Sequence, residues 1–237
     1  MKHIDNFVKS IVAKMSNYKI IADEQKLRDF IDNFLPEISG DETFYCTLFA
    51  RKKYWPTIKA DKGQLKRFVS PKHRIIDKIR QLECEIGSYT FEGNVIPNEA
   101  LCCYITPNPR SNKKATLIAI RKLADLLAYD NKNYNLHQEI LSCVQQAKSR
   151  TYVLDFDFDC AEMPNIEGVV NPSSYRVCKT RGGYHILVRP DLVEPEYKHS
   201  FHKKISSLPG CDVKGDCLLP IPGTYQGGHI VELLEPN

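Results

Sequence analysis

The sequence predicts a mixed α/β or α+β protein in which two modules share one cleft. Three observations carry this expectation. Helix-type and strand-type spacings of apolar residues follow one another along the whole chain. Hydrophobic residues make up 42% and charged residues 26% of the 237, ordinary for a chain that buries its own core without disulfide support. No apolar run approaches 18 residues, so a membrane-spanning helix and a membrane partner are not expected.

The elements follow from local pattern. Ile4, Phe7, Val8, Ile11 and Val12 recur at i, i+3, i+4, i+7 and i+8, which predicts an amphipathic helix over 3–15. A second helix over 23–35 presents Leu27, Phe30, Ile31 and Phe34 on one face and ends before Pro36. The aromatic, β-prone stretch 43–51 predicts a strand. Pro71 favours a first helical turn, leading a helix whose apolar face is Ile75, Ile76, Ile79 and Leu82. Strands are expected at 88–91 and 100–106. Ser111 or Asn112 can cap a helix over 113–129 with Ile120, Leu123, Leu126 and Leu127 inward. A further helix over 135–148 precedes a strand at 151–158, and strand, hairpin, helix and strand fill the remainder. The module boundary is placed near 148–151, giving a helix-rich α/β module 1–150 and a second module 151–237.

Charge is unevenly spread. Residues 51–80 hold eleven Lys/Arg and two Asp, a local +9 in a chain of +4, so the remainder carries −5. Such an excess suits a polyanion, because phosphate contacts dominate nucleic-acid affinity; a solvated helix face explains it equally well. Within it, Arg51, Lys52, Lys53, Lys66 and Arg67 are candidate backbone contacts. Tyr54 and Trp55 beside them can stack on a base, although core packing is the stronger reading for the single Trp. Arg110, Lys113 and Lys114 stand at a predicted helix start, where backbone N–H groups favour an anion, or form a plain solvated helix start. Nine cysteines with irregular spacing and no C-x-x-C motif point to free thiols in a reducing, cytoplasmic compartment. The N-terminal residues show no secretory pattern.

The segment TYVLDFDFDC carries the chemistry. On a strand, Tyr152, Leu154, Phe156 and Phe158 face a core, while Val153, Asp155, Asp157 and Asp159 face the other way. Carboxylates sharing a face repel unless a cation sits over them. Mg2+ or Mn2+ suits hard oxygen ligands; an acid-protected sheet edge is the bland alternative. Asp155 and Asp157 are the first pair, with Asp159 a spectator at the strand end. Thirty residues on, YRVCKTRGGYHILVR reads as a hairpin whose Gly182–Gly183 turn lets backbone approach a ligand. Lys179, Arg181 and His185 around it make a cradle for a triphosphate, or the glycines serve the turn alone. In GCDVKGDCLLPIPGT, Asp212 can complete a three-carboxylate site. A zinc site from His199, His202, Cys211 and Cys217 is disfavoured by the short gap between the pairs.

Taken together, Val153-Leu154-Asp155-Phe156-Asp157, then Gly183-Tyr184-His185, then Cys211-Asp212 resemble the motif series of the archaeo-eukaryotic primase, or primase-polymerase, superfamily, particularly its small phage and plasmid members. The resemblance covers 151–226. It departs at Gly183, where many members carry Ser, and in having no evident zinc module. The resemblance implies a primase-like catalytic core, an RRM-like mixed sheet in 151–237 packed with the N-terminal module. It implies two Mg2+ or Mn2+ ions about 4 Å apart, held by Asp155, Asp157 and Asp212. His185 and Arg181 would contact the β- and γ-phosphates, with Lys179 nearby. The expected activity is template-directed nucleotidyl transfer from an NTP or dNTP to a 3′-hydroxyl in DNA replication, with a helicase or replisome partner, in the host cytoplasm if the protein is viral. A metal-dependent nuclease and a non-catalytic single-strand-binding module are the alternatives.

Overall fold

The aromatic run predicted as a strand forms the spine of the first sheet. The computed structural model of the chain describes residues 17–129 and 134–235; the helix expected over 3–15 lies outside them. β1 (Glu42–Arg51) is buried at all but its two end residues, because both its faces are covered. It pairs antiparallel with β2 (Lys62–Ser70), with β5 (Leu101–Ile105) and, at its start, with β6 (Arg110–Ser111). Phe44, Cys46, Leu48 and Ala50 of β1 face a core shared with α1 (Glu24–Asp29) and α2 (Ile75–Arg80). Asp23 caps α1 by accepting the Lys26 N–H at 3.0 Å. A π-type turn over Phe30–Phe34 then prolongs the helix, so Leu27, Phe30, Ile31 and Phe34 are all buried, as the spacing predicts. β2 lies inside the basic stretch, where the sequence signals no strand. A small hairpin, β3 (Thr90–Phe91) with β4 (Asn94–Val95), closes the edge.

The opposite face of this sheet is divided. At one end α3 (Asn112–Ala128) and α4 (Leu136–Gln146) cover it through Val69, Ala115, Val144 and Ala147. At the other end Phe49, Cys102 and Tyr104 look toward a cleft. Ser111 caps α3, accepting the Lys114 N–H at 3.1 Å, as expected. The inward face of α3 needs correction. Ile120 and Leu127 are 60% and 73% exposed, and Leu123 is only half-buried. Ala115 and Ala119, with Leu126, make the buried face instead, since small side chains let a helix approach closely.

β7 (Leu154–Phe158) centres the second sheet, ordered β10 (Cys211–Gly215), β7, β9 (Tyr184–Val188), β8 (Tyr175–Lys179), β14 (Glu232–Leu234). Every pairing is antiparallel, which corrects the mixed sheet expected here. One face packs Phe156, Phe158, Val177, Ile186 and Val188 against Phe201 and Ile205 of α6 (Phe201–Ser206), which follows the short α5 (Pro195–Lys198). Each fully buried Phe there contributes about 1.5–3 kcal/mol of hydrophobic stabilisation. On the other face, Val153, Cys178 and Leu187 enter the first core. The two sheets therefore share one apolar seam. The chain also crosses back: β11 (Leu219–Pro220) and β12 (Tyr225–Gln226) pair with β5, and β13 (His229–Ile230) pairs with β12. A division into 1–150 and 151–237 does not follow the sheets. The architecture is α+β with several antiparallel sheets. Among the described residues no helix is long and apolar enough to cross a membrane.

Candidate active site

Strand register assembles the acidic wall. Asp157 on β7 stands directly opposite Asp212 on β10 and, on its other side, opposite His185 on β9, which in turn faces Cys178 on β8. A single rung across the sheet thus reads Asp212, Asp157, His185, Cys178. Asp155, two residues back along β7, shares that face. The β8–β9 turn is held by Thr180, whose N–H donates to the Gly183 carbonyl at 2.9 Å. Gly183 itself cannot be another residue: at φ +156°, an added Cβ would lie 1.9 Å from the Phe158 carbonyl oxygen.

These residues floor a cleft of about 680 Å³ between the sheets. Asp157, Asp159, Asp212 and His185 come from the second sheet, and Arg51, Lys53, Lys62, Phe49 and Tyr104 from the first. Acidic and basic walls face each other across the opening. Arg51 donates to the Tyr104 hydroxyl, which fixes the guanidinium at the cleft wall. The Tyr104 phenol is raised well above its ordinary pKa, first by burial, so it stays protonated.

At the floor sits a tighter group, anchored by a carboxylate beneath it. Asp155 is 1% exposed. Its Oδ1 lies 2.9 Å from Nδ1 of His185, whose Nε2 is 3.5 Å from Oδ1 of Asp157. Its Oδ2 accepts the thiol of Cys217. Burial, then the neighbouring Asp155 carboxylate, holds the Cys217 thiol well above its ordinary pKa, so it remains a donor. Among the described residues, Asp155, His185 and Cys217 are a group whose ligand atoms all lie within 4.8 Å of one another. That trio differs from the Asp155, Asp157, Asp212 set expected from the sequence. Asp155 is the buried support of His185, while Asp157 and Asp212 reach the cleft.

A second buried network ties the two sheets together at the cleft's edge. Arg110, 2% exposed, grips Asp216 in a fork, with NH1 to Oδ2 at 2.7 Å and NH2 to Oδ1 at 3.0 Å. Asn108 accepts the N–H groups of Tyr152 and Val153 at 2.7 and 2.9 Å and donates to the Val153 carbonyl and to Asp216, both at 3.0 Å. All its amide capacity is used. Arg110 is therefore a structural clasp, and it also belongs to the cleft lining.

Several expected contacts are placed elsewhere. Arg181 lies over the Tyr54 ring, 4.4 Å from its centroid, and donates to the Gly227 carbonyl. Lys53 lies 5.2 Å from the same centroid. Both Arg181 and Tyr54 thus hold the turn against the first sheet, and neither lines the cleft. Lys179 shares the Val177 face of β8, away from His185. Arg67 donates to Gln138 at 2.7 Å and to Ser142 at 2.8 Å, fastening β2 to α4. Lys52, Lys66 and Lys113 are exposed outside the cleft. Trp55 packs against the first core, the stronger of its two sequence readings. Gly182, His185, Arg51 and Lys53 do line the cleft. His199 and His202 are exposed on the α5–α6 segment, and Cys211 packs against the second core.

Lys62, Thr106, Cys217 and Gln226 also line the cleft without having been singled out by the sequence as ligands there. Gln226 carried no signal because its role depends on β12 folding back, where its Oε1 accepts the Arg181 N–H at 2.8 Å. All nine cysteines are free. No protein-family model matches the chain, and neither a curated protein nor a solved structure is significantly similar to it.

Proposed function

We propose that the chain is a metal-dependent nucleotidyltransferase of the primase-polymerase kind, acting on a single-stranded or primed nucleic-acid template. The observation that carries this reading is the rung Asp212, Asp157, His185 at the floor of a cleft walled by Arg51, Lys53 and Lys62. Two carboxylates from neighbouring strands, open to a cleft, are a hard-oxygen donor set that fits Mg2+ or Mn2+. Asp157 and Asp212 would hold the ions. When bound, such ions lower the charge on a triphosphate and favour an alkoxide nucleophile.

The chain's own groups account for the rest. His185, braced by buried Asp155, turns Nε2 to the Asp157 side, toward the place where a triphosphate would lie. Gly182 lies in the same turn: its N–H donates to the Thr180 hydroxyl at 3.3 Å, and its missing side chain leaves room for the Lys53 ammonium. The basic wall pairs with the triphosphate and with the template backbone, and the charges are fixed before substrate arrives. The volume of about 680 Å³ is in the range of small-ligand sites and leaves room for a nucleotide.

The test is incorporation of labelled NTPs and dNTPs on primed and unprimed templates with Mn2+. Extension is the expected result. Shortening of the labelled strand without dependence on nucleotides would instead make the chain a nuclease, and retention of strand with neither outcome a binding module.

A further inference from the structure

The trio at the cleft floor has donors unlike the carboxylate pair beside it. A carboxylate, an imidazole and a thiol are the ligand types of Zn2+ and other borderline cations, whereas sulfur is a poor partner for Mg2+. We infer that Asp155, His185 and Cys217 form a separate, thiolate-containing site for a cation such as Zn2+, open to the cleft at its fourth position.

The geometry supports this in three ways. Asp155 already touches both other donors: its Oδ1 lies 2.9 Å from His185 Nδ1, and its Oδ2 accepts from Cys217. Tetrahedral ligands with bonds near 2.1 Å sit about 3.4 Å apart, so small side-chain rotations within a group no wider than 4.8 Å suffice. Protons hold the place of the cation. On binding, the thiol proton leaves to solvent and sulfur bonds the metal. The Nδ1 proton moves to Nε2, where Asp157 Oδ1 stands 3.5 Å away as its acceptor. A metal-bound histidine with its other nitrogen on a carboxylate is the arrangement that fixes ring orientation in such sites. Lastly, Asp155 is buried while Cys217 and His185 line the cleft, so an ion arriving through the cleft meets the sulfur and the imidazole before the carboxylate. The remaining position faces the cleft and takes water, as in open zinc sites. The trio shares only Cys217 with the His199, His202, Cys211, Cys217 set considered from sequence.

Occupancy ties up His185, so Zn2+ should stop nucleotide incorporation that Mn2+ supports. Binding itself is tested without any nucleotide. Titrating the full chain with Co2+ and Cd2+ should give a thiolate-to-metal charge-transfer band saturating at one ion per chain. Cys217→Ser should remove the band and weaken binding by at least the ~10–100-fold that loss of a mere outer partner costs. Cys211→Ser, whose sulfur packs on the other face of the sheet, should keep the band. Asp155→Asn, a second probe of the site, should weaken binding while retaining the sulfur band. Thermal melts check that each variant is folded. A band of equal size in Cys217→Ser, or none in the parent chain, overturns the site. Loss of incorporation activity in the parent chain, with the Cys217-dependent band intact, would count against the nucleotidyltransferase reading alone.

Discussion

The two charged stretches of this chain meet very different fates. The acidic strand β7 delivers Asp155, Asp157 and, at its end, Asp159 to one face of one sheet, because side chains of a strand alternate with period two. The basic stretch 51–80 carries more charge but spreads it over a turn, β2 and α2. Of its cations, Arg51, Lys53 and Lys62 face the cleft, while Arg67 is spent fastening α4. A run of like charge in sequence becomes a functional surface only when the backbone period focuses it.

The largest expected effects test the acidic side of this contrast. Asp157→Asn and Asp212→Asn should each lower Mn2+-dependent incorporation by at least ~100-fold, the scale of losing one fixed charge-stabilising group, with melting temperature hardly changed. Asp216→Asn should behave in the opposite manner. It leaves Arg110, 2% exposed, without its partner charge, and breaking a buried pair costs about 3–5 kcal/mol. Urea unfolding would register that loss, and an unchanged midpoint would show that the clasp is dispensable.

The turn gives a paired comparison of intermediate size. Gly183→Ala drives a methyl into the Phe158 carbonyl and should cost on the order of 3 kcal/mol. Gly182→Ala meets only the end of the Lys53 side chain, which can move aside, and should cost less than about 1 kcal/mol. Comparable losses for the two would contradict the close approach of Gly183 to β7.

The smallest effects divide the cations. Lys53→Ala and Lys62→Ala should weaken template binding and flatten its salt dependence by about one unit of slope per lost contact. Arg67→Ala should leave that slope unchanged and lower stability instead, by about 1–3 kcal/mol for its hydrogen bonds to Gln138 and Ser142. Filter binding across a salt series separates these outcomes.

Much of this was legible in residues. Leu27, Phe30, Ile31 and Phe34 announce α1, and the apolar alternation in 151–158 places Asp155 and Asp157 on one face before any coordinates are known. The hairpin with Gly182–Gly183 is equally local. What could not be read depends on distant partners. β2 is hidden because Lys62–Ser70 is largely polar and takes its strand form from pairing with β1. The stripe Ile120, Leu123, Leu127 looks like a core face, yet α3 packs through its alanines. The Pro-Gly-rich run LPIPGT at 219–224 carries no strand pattern, yet its Leu219 and Pro220 add a strand to the first sheet. Arg110 finds Asp216 across 106 residues, and Cys217 finds Asp155 across 62, with no local pattern to announce either.

Calorimetric titration with a nonhydrolysable nucleoside triphosphate, with and without Mn2+, bears most directly on the cleft. The account predicts binding by the parent chain that requires Mn2+ and is lost in both Asp157→Asn and Asp212→Asn. Equal binding in the absence of metal, or full retention in both variants, would contradict it.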